Sequence, residues 1–315
     1  MLEADFPRGV WPVMLTPFRD DGALDWRGVD EVTDWYIEQG AAGLFSVALS
    51  SEMYELSSEE RLALATRVAR RAGGRVPVVA SGTFGGPLVE QAEFVRRMHG
   101  TGVSAVVVLS CQLAAENEPD SAWLANVERI LELAPGVPLG LYECPVPHQR
   151  LLSPELMGWA AGSGRFFFHK DTCCKMEPIE AKIAAVRGSA FRFYNAHTAS
   201  LLDSLRAGGD GFSSTGANFH PWLYAWLCAN YEHYPQRAER LQWFLSVADK
   251  VVSHKYPAAA KISMALSGLG IGPYCRVGNP QFDEGERRTI EHMWRYARAL
   301  QGELPAVHGP RGEYA

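Results

Sequence analysis

No apolar run in this sequence approaches the ~18 residues that a membrane helix needs, so no membrane partner is expected. Positive charge is also scarce: 30 Lys and Arg stand against 36 Asp and Glu, a net charge of −6. Phosphate binding wants a basic face, so nucleic acid is excluded as the main partner. A small anionic substrate is not excluded, because a few local donors can hold it. The 6 cysteines include no C-x-x-C pair, and the adjacent Cys173 and Cys174 cannot both hold one ion at the usual spacing. No metal is expected, and the thiols are read as reduced, in a cytoplasmic protein. The opening MLEADFPRGV lacks an apolar core segment, so no signal peptide is expected there. The first strand-like run ends in LTPFRDDG, where a dinucleotide fold would place G-x-G-x-x-G, so that fold is excluded too.

What is present is ordinary in bulk and regular in pattern. Hydrophobic residues make up 47% and charged residues 21% of 315, enough to bury a large core. Short apolar runs at 10–18, 43–49, 76–82, 105–110, 137–143, 166–171, 191–196 and 211–217 read as strands. Amphipathic patterns at 25–39, 58–72, 88–99, 122–133, 154–161, 178–186 and 198–207 alternate with them and read as helices. Gly40, Gly73-Gly74, Gly100 and Gly208-Gly209 stand where helices should stop. Eight largely apolar strands alternating with helices predict an α/β fold, a parallel (β/α)8 TIM barrel. Beyond it, patterns at 221–234, 236–253, 257–269 and 283–301 predict the last barrel helix and a helical C-terminal extension. The expected division is a barrel core at 1–220, helices at 221–301 and a loose tail at 302–315.

Active sites of such barrels lie at the carboxyl ends of the strands. There the sequence offers Thr16, Ser50-Ser51-Glu52, Thr83, Ser110, Tyr142-Glu143, Lys170-Asp171-Thr172, Asn195-Ala196-His197 and Ser213-Ser214-Thr215. Lys170 ends an apolar strand. Alternation puts Phe166, Phe168 and Lys170 on one face, with Phe167 and His169 on the other. If the first face looks into the barrel, burial lowers the ammonium's pKa and makes a nucleophilic amine. The alternative is a lysine that reaches the rim or pairs with Asp171. On the second strand, Ser46, Ala48 and Ser50 form the small face that suits the barrel interior, against Phe45, Val47 and Leu49. Ser50 is then a hydroxyl donor at the inner rim, or part of a turn leading into the helix near Ser57. Tyr142 offers a phenol that can move protons for a neighbouring amine, or a core ring with its hydroxyl at the rim. Glu143 and His197 sit in strand-end loops where a substrate's tail would lie. His169 reads as packing, and Trp222 and Trp226 as packing or an interface stripe.

These segments resemble the dihydrodipicolinate synthase and N-acetylneuraminate lyase family. Tyr142-Glu143-Cys144-Pro145 is similar to its Tyr-x-x-Pro, and His169-Lys170-Asp171-Thr172 to its Lys-[Asp/Glu]-[Thr/Ser]. Ala48-Leu49-Ser50-Ser51-Glu52 stands where the family has Gly-[Ser/Thr]-[Thr/Ser]-Gly-Glu. The run from Gly208 to Ser214 is similar to its Gly-Gly-x-Gly-x-x-Ser, and Leu15-Thr16-Pro17-Phe18 to its first strand.

The resemblance implies a class I lyase that needs no cofactor, commonly a homo-oligomer (dimer or tetramer). Lys170 would condense with pyruvate or a 2-keto-3-deoxy sugar acid. Tyr142 would relay protons, Ser50 and Ser51 would bind the carboxylate, and Ser213 would add a further substrate contact. The departures are as informative. Leu49 stands for a hydroxyl residue and Ser51 for a glycine. The segment after the fourth strand, Ser110-Cys111-Gln112-Leu113, has no tyrosine, and Arg150 is the nearest arginine beyond Tyr-x-x-Pro. Ala196-His197 replaces the Gly-Asp pair of the sugar-cleaving members. These differences point to a divergent member with its own substrate, neither dihydrodipicolinate nor sialic acid chemistry. A rival from another class is a barrel that keeps the fold and binds a metabolite without turning it over.

Overall fold

The computed structural model describes residues 6–305. The first five residues and the greater part of the expected tail, 306–315, lie outside them. The eight strands are β1 (Gly9–Val10), β2 (Leu44–Ser46), β3 (Val78–Ser81), β4 (Ala105–Leu109), β5 (Leu139–Tyr142), β6 (Phe166–Asp171), β7 (Arg192–Asn195) and β8 (Gly211–Phe212). All pair in parallel in the order β1-β8-β7-β6-β5-β4-β3-β2. A parallel bridge from Val13 to Phe45 closes the ring between the first and second strands. This is the (β/α)8 barrel that the alternating pattern predicts.

The outer helices are α1 (Trp26–Glu38), α2 (Ser58–Ala72), α3 (Leu88–His99), α4 (Asp120–Leu133), α5 (Pro154–Gly162), α6 (Met176–Val186), α7 (Leu201–Arg206) and α8 (Pro221–Asn230). Their ends follow local chemistry. Ser57 and Glu60 form a reciprocal capping box on α2, and Gly73 closes it in the left-handed conformation at φ 56°. Beyond the barrel come α9 (Pro235–Val252), α10 (Ala258–Leu266) and α11 (Glu284–Glu303), the helical extension. No helix among the described residues is long and apolar enough to cross a membrane.

The barrel floor is aromatic. Phe168 packs on Trp11 at 5.2 Å, Phe45 at 5.5 Å and Tyr194 at 4.9 Å, and Phe45 reaches Tyr142 at 5.8 Å. Such pairs add about 0.5–1.5 kcal/mol each beyond area burial. Two facing expectations are corrected here. Leu139 pairs with Phe166 and Gly140 with Phe168, so Phe167 is a bulged, unpaired residue. Phe166 therefore turns outward to Trp159 and Phe191, while Phe167 stacks on Phe6. Above the bulge the alternation holds: Phe168 and Lys170 face in, and His169 faces out to Phe191 and Phe193. On β2 it is Phe45 that fills the interior, while the Ser46 hydroxyl donates to the Val79 carbonyl of β3. Val47 then takes a φ of 50°, which breaks the period before Ser50 is reached.

Candidate active site

β6 delivers Lys170 to the mouth of the barrel directly above the aromatic floor. The residue is 6% exposed, and its Nζ lies 4.1 Å from the centre of the Tyr142 ring on β5, its register partner. No carboxylate among the described residues forms an ion pair with it; Asp171, the partner considered from sequence, faces the other way. Burial lowers its pKa to about 8, with the Cys144 and Cys174 thiols opposing the shift. Tyr142 is buried too, and burial together with the neighbouring Cys144 pushes its phenol well up. An amine that is easily neutralised thus sits against a phenol that holds its proton.

The residues after β2 form a single helical turn, Leu49–Ser51. Ser51 is spent inside it. Its hydroxyl donates to the Met14 carbonyl at 2.6 Å and accepts the Ala48 N–H, and its own N–H donates to Ala48. The expectation that Ser51 holds substrate is corrected accordingly: it fastens the turn to the first strand. Ser50 keeps the open role. Its hydroxyl meets Tyr256, whose phenol in turn accepts from Asn218 at 2.6 Å. The turn does not cap α2, since Ser57 does.

Glu52 ends the turn in a left-handed conformation at φ 58°. Its carboxylate accepts from Lys261 of α10 at 2.9 Å and from the Val277 N–H at 3.0 Å. The ion pair is buried on both sides, so the C-terminal extension anchors the Ser50 turn. Sequence reasoning missed Lys261; its partner is 209 residues away.

Glu143 is the largest correction. It is fully buried on the outer side of β5, where its carboxylate accepts from Leu152 N–H, Thr172 N–H and Lys182 Nζ. Lys182 also donates to Asp171 at 2.6 Å, and His169 Nε2 lies 3.8 Å from both carboxylates. The donor atoms of Glu143, His169 and Asp171 lie within 4.8 Å of one another, close enough to hold a metal ion, but the Lys182 ammonium already bridges the two carboxylates. Burial works against charge on Lys182, yet the two carboxylates raise its pKa to about 12. Its charge in turn fixes the loops after β5 and β6. A signal was available: Lys182 falls on the buried stripe of α6 with Ile179, Ile183 and Val186, and a lysine there requires a buried acid.

His197 stands at the end of β7, half-buried, with Nδ1 2.9 Å from the Ser200 hydroxyl. Phe212 stacks outward on Tyr224 at 4.3 Å, so alternation turns Ser213 inward. Ser213 is fully buried and its hydroxyl has no partner among the described residues, which suits a substrate contact. Arg150 is committed elsewhere, donating to the Ala115 and Glu118 carbonyls and to Asp120.

The chain is similar to known proteins over nearly its whole length. The chain is 26% identical over 292 residues to a 4-hydroxy-tetrahydrodipicolinate synthase of Gluconacetobacter diazotrophicus, covering 92% of this chain and 96% of that one. It is 30% identical over 232 residues to the enzyme of the same name from Cereibacter sphaeroides, covering 74% and 77%. A prophage protein from E. coli of the dihydrodipicolinic acid synthase family, solved in complex with pyruvate, superposes with a TM-score of 0.81 at 22% identity, covering 92% and 98%. The dihydrodipicolinate synthase of Thermotoga maritima does so at 0.82 and 20%, covering 94% and 99%. The model of the Dihydrodipicolinate synthetase family matches residues 6–295. This chain belongs to that family.

Proposed function

We propose that this protein is a class I carbon–carbon or carbon–oxygen lyase, an aldolase or dehydratase, whose Lys170 forms a Schiff base with a small 2-oxo acid such as pyruvate or a 2-keto-3-deoxy sugar acid. One observation carries the reading: a buried amine with its pKa lowered to about 8, paired with no carboxylate among the described residues and lying against the Tyr142 ring. The relatives named as synthases and the pyruvate-bound neighbour support it.

The steps follow from the groups present. Neutral Lys170 attacks the C2 carbonyl, and Tyr142 protonates the carbinolamine oxygen, which leaves as water. The iminium then draws electrons from the bond to be broken, so no cofactor is called for. The Ser50 and Ser213 hydroxyls hold the carboxylate end, a donor set in place before substrate arrives. His197 meets the tail. The reading takes the protein as cytoplasmic, with reduced thiols, and as a homo-oligomer (dimer or tetramer).

The test is borohydride trapping with a panel of 2-oxo acids, followed by peptide mass mapping. A reduced adduct on Lys170 is expected. A folded protein that traps none of the panel would point instead to a barrel that binds without turnover.

A further inference from the structure

Asn218 ends the short turn after β8, and both it and Tyr36 of α1 are fully buried. Its amide has one possible orientation, because a carbonyl oxygen only accepts. The atom 2.9 Å from the Val13 carbonyl must be the nitrogen, Nδ2. The other atom, Oδ1, then accepts from the Tyr36 hydroxyl at 2.6 Å. Nδ2 also stands 2.6 Å from the Tyr256 phenol oxygen, and an amide nitrogen can only donate there. Both amide hydrogens are thus spent, and Tyr256 is the acceptor in this bond. Its own hydrogen is left for a different acceptor.

Tyr256 is half-buried, in the turn between α9 and α10. Residues on either side hold that turn. Lys255 donates to Glu286 of α11 and to the Gln281 carbonyl, each at 2.6 Å, and Lys261 donates to Glu52. Glu52 directly follows the Leu49–Ser51 turn, which Ser51 ties to Met14; Asn218 holds the adjacent Val13. Ser213 directly follows β8, in the segment that leads to Asn218. The phenol oxygen is therefore fixed on the side of the barrel mouth where Ser50 and Ser213 stand.

We propose that Tyr256 is a substrate-binding residue supplied by the C-terminal extension, its hydroxyl hydrogen directed to the carboxylate of the 2-oxo acid beside Ser50 and Ser213. The proposal rests on the Schiff-base reading. The phenol adds one hydrogen bond to the carboxylate and takes no part at the keto carbon, so it selects acids over neutral carbonyl compounds. Burial pushes its pKa upward, so it offers a hydrogen and not a charge to an anion. Tyr36 and the Val13 carbonyl act through Asn218 as positioning groups. Were the amide turned over, Oδ1 would face the phenol and take its hydrogen; the two contacts forbid that, and the donor stays aimed at the ligand.

The experiment measures borohydride trapping against concentration for pyruvate and for acetone, which has the keto group but no carboxylate. The proteins are wild type, Tyr256→Phe and a protein with 3-fluorotyrosine in place of Tyr256. Tyr256→Phe is expected to raise the half-saturating pyruvate concentration by roughly ten- to a hundredfold, the size of a hydrogen bond to a charged group. The trapping rate at saturation and the response to acetone are expected to stay as in wild type. The fluorinated phenol keeps ring and hydroxyl but donates more strongly, so it is expected to shift the pyruvate curve to lower concentration and leave acetone alone. That arm holds even where Tyr256→Phe does not fold. Equal weakening toward pyruvate and acetone would make Tyr256 a packing residue and overturn the proposal. An unmoved pyruvate curve in either altered protein would overturn it as well. Wild type that traps no 2-oxo acid at all would instead sink the Schiff-base reading, before any tyrosine is changed.

Discussion

Lys170 and Lys182 are both buried, and they lie on opposite sides of β6. Inside the barrel, Lys170 meets an aromatic face and no acid among the described residues, and burial takes it down to about 8. Outside, Lys182 pays the same desolvation but meets Glu143 and Asp171, and it rises to about 12. Burial alone therefore does not set a lysine's chemistry; the presence or absence of a carboxylate decides between a nucleophile and a permanent cation. β6 enforces the split by alternation, since Lys170 and Asp171 are adjacent and must face opposite ways.

Exchanging the fates of the two lysines gives the largest effect. Lys170→Met should abolish the trapped adduct and leave the fold intact. Lys182→Met should leave two buried carboxylates unpaired and cost about 3–5 kcal/mol of stability, while the folded fraction still forms adduct. Urea unfolding followed by the trapping assay reads both. A stable Lys182→Met protein with no adduct would break the division between the two sides.

Next comes Tyr142→Phe, which keeps the ring against Lys170 but removes the phenol. Turnover should fall by roughly 10²–10⁴-fold with unfolding unchanged. Near-normal turnover would hand the proton to another group.

The pH dependence of adduct formation sharpens the contrast further. The free amine is the nucleophile, so the rate should climb about tenfold per unit up to pH 8 and then level off. Cys174 already biases Lys170 toward charge, so Cys174→Asp should move the midpoint upward, making Lys170 resemble Lys182. A profile flat from pH 6 to 10, or an unmoved midpoint, would mean that partner charge does not govern this amine.

The smallest effect is at His197. Its replacement by Ala should alter the ratio of kcat/KM between two substrates with different tails by about 1–3 kcal/mol, with adduct formation retained. Equal losses on every substrate would move His197 into the chemistry.

Much of the site was legible because it depends on local pattern. Helix starts at Ser57 and Asp283 follow capping boxes, and the inward facing of Lys170 follows from strand alternation. What escaped depends on partners distant in sequence. The Phe167 bulge exists only relative to Gly140, where a Cβ would come within 2.9 Å of the Phe168 carbonyl. Glu143 read as a substrate contact because its loop lies beyond the strand end, while its anchor, Lys182, is 39 residues on. Ser51 read as a free hydroxyl because nothing local reveals that the Met14 carbonyl claims it.

The Glu52–Lys261 pair sets an order of assembly. The last strand ends at Phe212, well before Lys261 in the chain. The turn that presents Ser50 cannot be locked until Lys261 and Val277 have emerged and docked. The mouth of the barrel is thus finished by a segment that supplies none of its strands, and loss of the Lys261 anchor would be felt first at Ser50.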